Sequence, residues 1–239
     1  MTASRRRFVR LLSGAAVGAA AAPGYWSTID GQGRVLKELV PPGWVIGAAI
    51  NQNQSDGRDA VAVDLITRQF STISPENLLK FQSLHPEPER FTFEAADRYV
   101  AFGRERGMAV IGHNLVWHSQ TPRWVWDGPD GALADRATML ARLRTHISTV
   151  VGRYKGKIRG WDVVNEALNE DGTMRDSPWR RGIGDDYIAQ AFEFAHAADA
   201  DAELYYNDYN LATRPAKRAV FFGSWTAYGS GLLEDPTPT

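Results

Sequence analysis

The chain has 239 residues, of which 44% are hydrophobic and 11% aromatic, which is enough apolar surface for one sizeable core. Its formal net charge of -1 provides no basic field to attract nucleic acid, so no nucleic-acid partner is expected. The chain contains no cysteine, which excludes disulfides, thiolate metal ligands and a cysteine nucleophile.

The first 22 residues have the layout of a bacterial export signal. Four arginines, at positions 5, 6, 7 and 10, precede an alanine-rich apolar run from Leu11 to Ala22 that is too short to span a bilayer. The order Ser-Arg-Arg-x-Phe from Ser4 to Phe8 resembles the twin-arginine signal, whose cargo crosses the membrane already folded. Ordinary secretion and a basic amphipathic helix are the alternatives. We therefore expect a secreted protein that keeps no membrane anchor once residues 1–22 are removed.

Beyond the signal, short β-rich runs alternate with longer stretches that are compatible with helices. Strands are predicted at residues 44–50, 70–74, 108–117, 158–165 and 203–209. Helices are predicted at residues 57–69, 93–107, 134–156 and 185–199, with Gly107 as a C-terminal cap. This alternation predicts a parallel α/β sheet. The segment GQGRVL (31–36) has the wrong spacing for a phosphate-binding loop and precedes the first strand, which disfavours a nucleotide-binding fold.

Polar segments follow the ends of four consecutive predicted strands. They read SPENLLK, HNLVWHSQ, NEAL and NDYN, in chain order. In (β/α)8 barrels the reactive face lies at the C-terminal ends of the strands, and bulky apolar side chains fill the strand interiors. A (β/α)8 TIM barrel is therefore the predicted architecture.

Asn165 and Glu166 end the fourth predicted strand, within the segment GWDVVNEAL. A carboxyl group at a barrel strand end is placed to exchange a proton with a substrate. The amide of Asn165 can hydrogen-bond a substrate hydroxyl. The alternative is that both residues only cap the loop that follows.

Three tryptophans, Trp117, Trp124 and Trp126, surround the loop after the third strand. Aromatic faces stack on the C–H surfaces of sugars, and exposed aromatic patches usually mark binding sites, so carbohydrate is the favoured ligand class. Strand alternation in GHNLVWH places His113 and His118 on opposite faces. The other histidines are scattered, with no spacing such as H-E-x-x-H. We expect no metal and no cofactor.

Four segments of this chain resemble successive signature segments of glycoside hydrolase family 10, the endo-β-1,4-xylanases. These segments are SPENLLKF, GHNLVWHSQTPRWV, RYKGKIRGWDVVNEAL and LYYNDYNL, and they cover roughly residues 44–218 in the family's order. The resemblance implies a (β/α)8 barrel and retaining hydrolysis of the β-1,4-xylosidic bonds of xylan. Xylan or xylo-oligosaccharides are then the expected partners.

The resemblance also implies roles for individual residues. Glu166 matches the general acid/base, which protonates the leaving glycosidic oxygen and later deprotonates the attacking water. Asn165 matches the residue that holds the 2-hydroxyl of the sugar. The other implied substrate-binding residues are Glu76, Asn77 and Lys80 on the glycone side, His113, Trp117 and Gln120 around the cleaved sugar, and Asn207, Tyr209 and Asn210 on the aglycone side. Taken singly, Lys80 also fits a solvated helix position, and His113 fits a buried core histidine.

The resemblance stops before the second carboxylate of a retaining glycosidase. That nucleophile stands about 5 to 5.5 Å from the acid/base, and the family carries it in a segment of the type TELD, which this sequence lacks together with the family's QGH segment. The five predicted strands end by about residue 210, and the rest has room for about one crossover. We therefore expect a C-terminally truncated barrel with about five of eight parallel strands over residues 23–219, and a divergent, disordered tail at 220–239.

An incomplete barrel has consequences for solubility and for catalysis. Five strands would leave two unpaired sheet edges and an uncovered apolar interior, which favours self-association. Without a nucleophile the covalent intermediate cannot form, so weak or lost hydrolysis is expected. The alternatives are a non-catalytic xylan-binding fragment that keeps Glu76, Asn77, Lys80 and Trp117, and a chain that does not fold alone.

Overall fold

The computed structural model of the chain describes residues 35–228. The predicted export signal and residues 229–239 of the predicted tail lie outside this range. The strands are β1 (Gly47–Ile50), β2 (Thr72–Pro75), β3 (Ala109–Val116), β4 (Gly160–Asn165) and β5 (Glu203–Asn207). The helices are α1 (Leu36–Leu39), α2 (Gln52–Ser55), α3 (Ala60–Gln69), α4 (Phe81–Leu84), α5 (Glu94–Glu105), α6 (Arg136–Arg153), α7 (Pro178–Ile183), α8 (Tyr187–Ala198) and α9 (Pro215–Tyr228). None of the helices in residues 35–228 is long and apolar enough to cross a membrane.

The five strands form one sheet in the order β1-β2-β3-β4-β5, and every neighbouring pair is parallel. The crossover helices between successive strands are α3, α5, α6 and α8. Parallel strands joined in sequence order by helices are the repeating unit of a (β/α)8 barrel. The sheet is therefore an incomplete barrel of five strands within the described residues, as the sequence predicted.

The predicted helices lie within three residues of the observed ones, and their ends have local causes. The side chain of Asp59 accepts a hydrogen bond from the Ala62 amide at 3.0 Å and starts α3, and Asp135 does the same for α6 with the Thr138 amide at 2.7 Å. Gly107 follows α5 with φ of 65°, the left-handed geometry that ends a helix and favours glycine. The predicted cap at Gly107 is confirmed.

The main core lies between the sheet and the helices. Trp161 of β4 is 1% exposed and packs near Tyr154 at the end of α6, with ring centroids 6.3 Å apart. Its ring covers Gly112 of β3 so closely that a Cβ atom there would lie 2.1 Å from Trp161 Cε3. A strand glycine at this position allows the close approach of the indole.

The simple alternation predicted for residues 113–118 is wrong. The register of β3 against β4 shifts between His113 and Val116, and the His113–Asn114 peptide is cis. Asn114, Leu115 and Val116 are all buried in a row. A period of two therefore does not describe this part of β3, because the irregular backbone interrupts the pleat.

The sheet face opposite the helices is polar at β3 to β5. Asp162 follows Trp161, so its side chain points to the other face. It lies 2.8 Å from His113 Nδ1 and beside Tyr205, its register partner on β5. The Tyr205 hydroxyl donates to the Glu203 carboxylate. The expectation of an uncovered apolar interior is wrong at the level of His113, Asp162 and Tyr205, where hydrogen-bonded polar side chains occupy that face.

The predicted boundary at residue 220 is also wrong, because it falls within a helix. The last helix, α9, runs through it from Pro215 to Tyr228. Val220 and Phe221 pack against the core, and the Phe221 ring lies 5.5 Å from that of Tyr206. Val220 and Phe221, which looked like the start of a tail, are apolar and compatible with a helix, and their packing against the core stabilises this part of α9.

Candidate active site

Glu166 lies directly after β4, with its backbone in the left-handed region at φ of 57°. Its amide donates to the Asn207 carbonyl at 2.9 Å, and its own carbonyl accepts from Arg175 Nε at 2.9 Å. Its side chain accepts a 2.9 Å hydrogen bond from the indole Nε1 of Trp117, which follows β3. Non-glycine residues occupy this backbone region rarely, and such residues cluster at functional sites. The strand end thus directs the carboxyl group toward the end of the neighbouring strand.

Trp117 is itself fixed from two sides. Its carbonyl accepts hydrogen bonds from Trp179 Nε1 and from the Thr121 hydroxyl, each at 2.9 Å. The Lys80 ammonium stands 4.6 Å from the centre of its ring, a cation–π contact. These contacts hold Trp117 in place, and its indole N–H donates to Glu166.

The SPENLLK segment joins this indole through a chain of polar side chains. Lys80 Nζ donates to Gln120 Oε1 at 2.7 Å, and Gln120 Nε2 donates to Asn77 Oδ1 at 3.1 Å. Burial lowers the pKa of Lys80, while the charges of Glu166 and Glu76 oppose that shift. Lys80 is 8% exposed, so the solvated position considered for it does not apply. One buried ammonium thus lies within electrostatic reach of both carboxylates.

The predicted residues after β5 meet the site at two places. Asn207 Nδ2 donates to Asn165 Oδ1 at 2.7 Å, which fixes the orientation of both amides. The Tyr209 hydroxyl accepts from Arg175 Nη2 at 3.1 Å, and Arg175 links it to Glu166. Tyr209 is 41% exposed, which leaves part of its ring open for stacking.

Two predicted residues lie to the side of this group. The Asn210 amide donates to Glu170 at 3.3 Å, not to Glu166 or Trp117. His113 pairs with Asp162 on the polar face of the sheet at 2.8 Å, so it is neither an isolated core histidine nor a direct partner of Glu166. The structure therefore brings Glu166, Trp117, Lys80, Gln120 and Asn77 into one network, with Asn165, Asn207 and Tyr209 next to Glu166, and leaves His113 and Asn210 outside it.

The neighbouring His118 is half-buried, and burial is the largest cause that lowers its pKa, followed by the positive charge of Arg175. A neutral imidazole is the favoured form near pH 7. Among the residues that the structure describes, no group of three or more histidine, cysteine, aspartate or glutamate side chains is arranged to hold a metal.

Sequence reasoning missed Arg175 and Trp179. Arg175 lies in a loop nine residues after Glu166, with no pattern around it that marks a function. Trp179 lies in the first turn of α7, after the N-cap Ser177 and Pro178. These two residues allow the start of the helix to be predicted from the sequence. The partner of the Trp179 indole N–H is 62 residues away in the sequence, and no local signal identifies such a contact.

Glu166 accepts a hydrogen bond from an indole and lies within electrostatic reach of a buried ammonium, on a rim with exposed aromatic and amide groups. Such a carboxyl group is suited to proton transfer. Glu76, exposed at the end of β2, is the other carboxylate that acts on Lys80.

Known proteins are similar to this chain in sequence and in fold. The family model of glycosyl hydrolase family 10 matches residues 36–225. Endo-1,4-beta-xylanase B of Paenibacillus barcinonensis is 48% identical over 181 residues, which cover 74% of this chain and 52% of that protein. An endo-1,4-beta-xylanase of Geobacillus stearothermophilus is 44% identical over 189 residues, 78% of this chain and 56% of that protein.

Solved structures are similar to this chain in fold. A GH10 endoxylanase from a sugarcane soil metagenome superposes with a TM-score of 0.77 at 40% identity, covering 81% of this chain and 58% of that one. Xylanase 10B from Thermotoga petrophila, solved in complex with xylobiose, gives a TM-score of 0.75 at 37% identity, covering 82% of this chain and 59% of that one. The chain spans about half the length of the curated relatives it matches. The chain belongs to glycosyl hydrolase family 10.

Proposed function

We propose that residues 35–228 form the xylan-binding and proton-transfer part of an endo-1,4-β-xylanase, with Glu166 as general acid/base. The observation that carries this proposal is the hydrogen bond from Trp117 to the Glu166 carboxylate beside the ammonium of Lys80. The relatives named above are endo-1,4-β-xylanases, and one neighbouring structure is a complex with xylobiose.

In this proposal Glu166 donates its proton to the leaving glycosidic oxygen while a second carboxylate bonds to the sugar C1 and the C1–O bond breaks. Glu166 then takes a proton from the water that attacks C1 and displaces that carboxylate. The Trp117 indole holds the Glu166 carboxyl group in place during both transfers. Asn77, Lys80 and Gln120 hydrogen-bond sugar hydroxyls on one side of the cleaved bond, with Glu76 at the same rim. Asn165 holds the 2-hydroxyl of the sugar. On the other side Asn207 presents an amide and Tyr209 a ring for stacking, with Asn210 at the outer edge.

Retaining hydrolysis needs a second carboxylate about 5 to 5.5 Å from the first. This sequence contains no segment of the family's TELD type. Glu76 is the candidate for this second carboxylate, because its charge, like that of Glu166, raises the pKa of Lys80. The resemblance to the family, however, gives Glu76 a hydrogen-bonding role. We therefore propose that the 239-residue chain by itself hydrolyses xylan weakly or not at all and retains the ability to bind it.

Calorimetry with xylotetraose tests the binding part. The proposal expects binding at millimolar ligand or better, and a loss of at least about tenfold in affinity for Lys80→Met, because a charged hydrogen-bond donor to the sugar is removed. Lys157→Met is the matched control, since Lys157 is exposed and lies just before β4, at the opposite end of that strand from Glu166. Absence of any heat from folded protein, or equal effects of the two substitutions, would contradict it.

Release of reducing sugar from xylan tests the catalytic part in the same samples. Binding without hydrolysis supports the non-catalytic fragment. Hydrolysis at ordinary enzyme rates that Glu166→Gln abolishes would confirm Glu166 as acid/base and refute the weak-activity clause. Hydrolysis unaffected by Glu166→Gln would refute the assignment of Glu166.

We also propose that the chain associates with a second copy of itself. Within residues 35–228, β1 pairs only with β2 and β5 only with β4, which leaves two sheet edges. On α3, beside β1, Val61 is 82% exposed and Leu65 is 48% exposed. Such edges and apolar surfaces favour pairing with another chain. Sedimentation velocity should detect dimers that Leu65→Lys weakens, and a monomer at all concentrations would refute the proposal.

Export rests on residues 1–22 alone, and we propose the twin-arginine route. Replacing Arg5 and Arg6 with lysine should leave precursor in the cytoplasm of a bacterial host. Normal export of that double variant would instead favour ordinary secretion.

A further inference from the structure

A buried lysine in α9 lies close to the backbone that carries Glu166. The side chain of Lys217 is 0% exposed, and its ammonium lies 2.7 Å from Asp208 Oδ1. The Asp208 side chain is equally inaccessible. The Lys217 ammonium also stands 3.8 Å from the centre of the Tyr209 ring and 3.6 Å from Glu170. The Lys217 ammonium makes no hydrogen bond of good geometry within the described residues, so its contact with Asp208 is electrostatic. A buried charge needs such compensation, which Asp208, Glu170 and the Tyr209 ring supply here.

The second carboxylate oxygen of Asp208 links Lys217 to Tyr206 on β5. The Tyr206 hydroxyl donates to Asp208 Oδ2 at 2.6 Å. Tyr206 is 9% exposed, and its pKa is raised, first by burial and then by the hydrogen bond to Asp208. The phenol therefore stays protonated, and its proton is directed at Asp208. Its oxygen is left as an acceptor.

The Tyr206 hydroxyl oxygen accepts a hydrogen bond from the residue that follows Glu166. The Ala167 amide donates to the Tyr206 hydroxyl at 2.9 Å. Ala167 is 3% exposed, so water does not replace this bond. The residue before it, Glu166, holds the left-handed backbone that directs its carboxyl group to Trp117. A backbone conformation of this kind persists only where the surroundings determine it.

We propose that Lys217, Asp208 and Tyr206 are positioning residues that hold the Glu166 peptide in its left-handed conformation. Lys217 orders Asp208, Asp208 orients the Tyr206 hydroxyl, and that hydroxyl anchors the Ala167 amide. None of the three needs to contact the sugar. The proposal rests on the role of Glu166 given above, but its geometry does not depend on any ligand.

The test uses ¹⁵N-labelled full-length chain without sugar. Two N–H groups report on the site: the Ala167 amide and the Trp117 indole, whose hydrogen bond ends on Glu166. Tyr206→Phe removes only the hydroxyl. The Ala167 amide should then exchange with solvent about tenfold faster, since one hydrogen bond of ordinary strength is lost. The Trp117 indole resonance should move, while the Val163 amide in the centre of β4 should keep its exchange rate.

Substitutions at Lys217 test the charge. Lys217→Met should change the Ala167 and Trp117 signals in the same direction as Tyr206→Phe, and Lys217→Arg should restore them at least in part. The exposed Lys157→Met should change neither. If Lys217→Met does not fold, the Ala167 and Trp117 signals of the milder variant Tyr206→Phe decide whether the proposal holds.

Unchanged Ala167 and Trp117 signals in folded Tyr206→Phe would overturn the proposal, as would equal acceleration at Val163, which indicates loss of global stability alone. If Lys217→Arg restores neither signal, the positive charge of Lys217 has no part in holding the Glu166 peptide. A chain that passes these tests but binds no xylotetraose would refute the proposed function and leave the positioning role intact.

Discussion

The buried histidine His146 should make the stability of the chain depend on pH between 7.5 and 5. His146 lies in α6, is 0% exposed, and stacks on Phe81 with ring centroids 3.5 Å apart. Within the described residues, neither of its ring nitrogens has a hydrogen-bond partner. Burial, with a smaller effect from His85, lowers its pKa well below the usual histidine value. The folded chain therefore keeps the His146 imidazole neutral at pH values where an ordinary histidine already takes up a proton.

The sign and size of the effect follow from proton linkage. In the unfolded chain His146 binds a proton below about pH 6.5, whereas in the folded chain it does so only at a lower pH. The unfolded state thus gains protons as the pH falls, so the free energy of unfolding decreases in the same direction. For one histidine the loss between pH 7.5 and pH 5 has an upper limit of about 2 kcal/mol, which is reached when the folded imidazole takes up no proton in that range. The pKa of His85 is lowered too, again mainly by burial, and adds a loss of the same sign.

Urea denaturation at several pH values between 5 and 7.5 measures this loss. His146→Leu, an apolar replacement for a ring without hydrogen bonds, should reduce the pH-dependent loss by up to about 2 kcal/mol relative to the unmodified chain. Val150→Ala, at a buried apolar position of the same helix, is the control and should lower the stability by the same amount at every pH. If the unmodified chain and His146→Leu lose the same stability, the neutral buried histidine is refuted.

Two further predictions concern packing and surface charge. Gly112→Ala should destabilise the chain by about 3 kcal/mol, because its Cβ would lie 2.1 Å from a buried ring atom of Trp161, whereas Gly152→Ala, with no atom within 4 Å, should be neutral or stabilising by up to about 1 kcal/mol. Denaturant midpoints of the two variants compare them directly, and equal effects would contradict the close contact. Asp97→Asn breaks a bidentate pair with Arg153 whose two side chains are 41% and 42% exposed, so it should cost about 1 kcal/mol or less at low salt. That cost should shrink in 1 M NaCl, and a salt-independent cost would refute an electrostatic origin.

The fold was largely predictable because its signals are local. The apolar periods of α3, α5, α6 and α8 and the β-rich runs between them each extend over several residues, and caps such as Asp135 and Gly107 mark the ends. Where the backbone departs from a regular period, as after His113, the prediction failed. The extent of α9 was missed for a different reason, since its burial depends on the sheet it packs against.

The candidate site was predictable in its members but not in its connections. Strand ends and family segments pointed to Glu166, Trp117 and Lys80. The bond between Trp117 and Glu166 joins residues 49 positions apart, and the bond between Tyr206 and Ala167 joins residues 39 apart. Contacts of that range follow from register and loop geometry, which no short window of sequence contains.

The polar face at β3 to β5 has a consequence for how this polypeptide could be handled in the laboratory. His113 and Asp162 hydrogen-bond to each other within the described strands, and their side chains are 20% and 17% exposed. Because both partners lie on β3 and β4, the pair can form without any added polypeptide when the chain is refolded from denaturant. Refolding is then a route to this polypeptide that leaves the polar groups of this face paired.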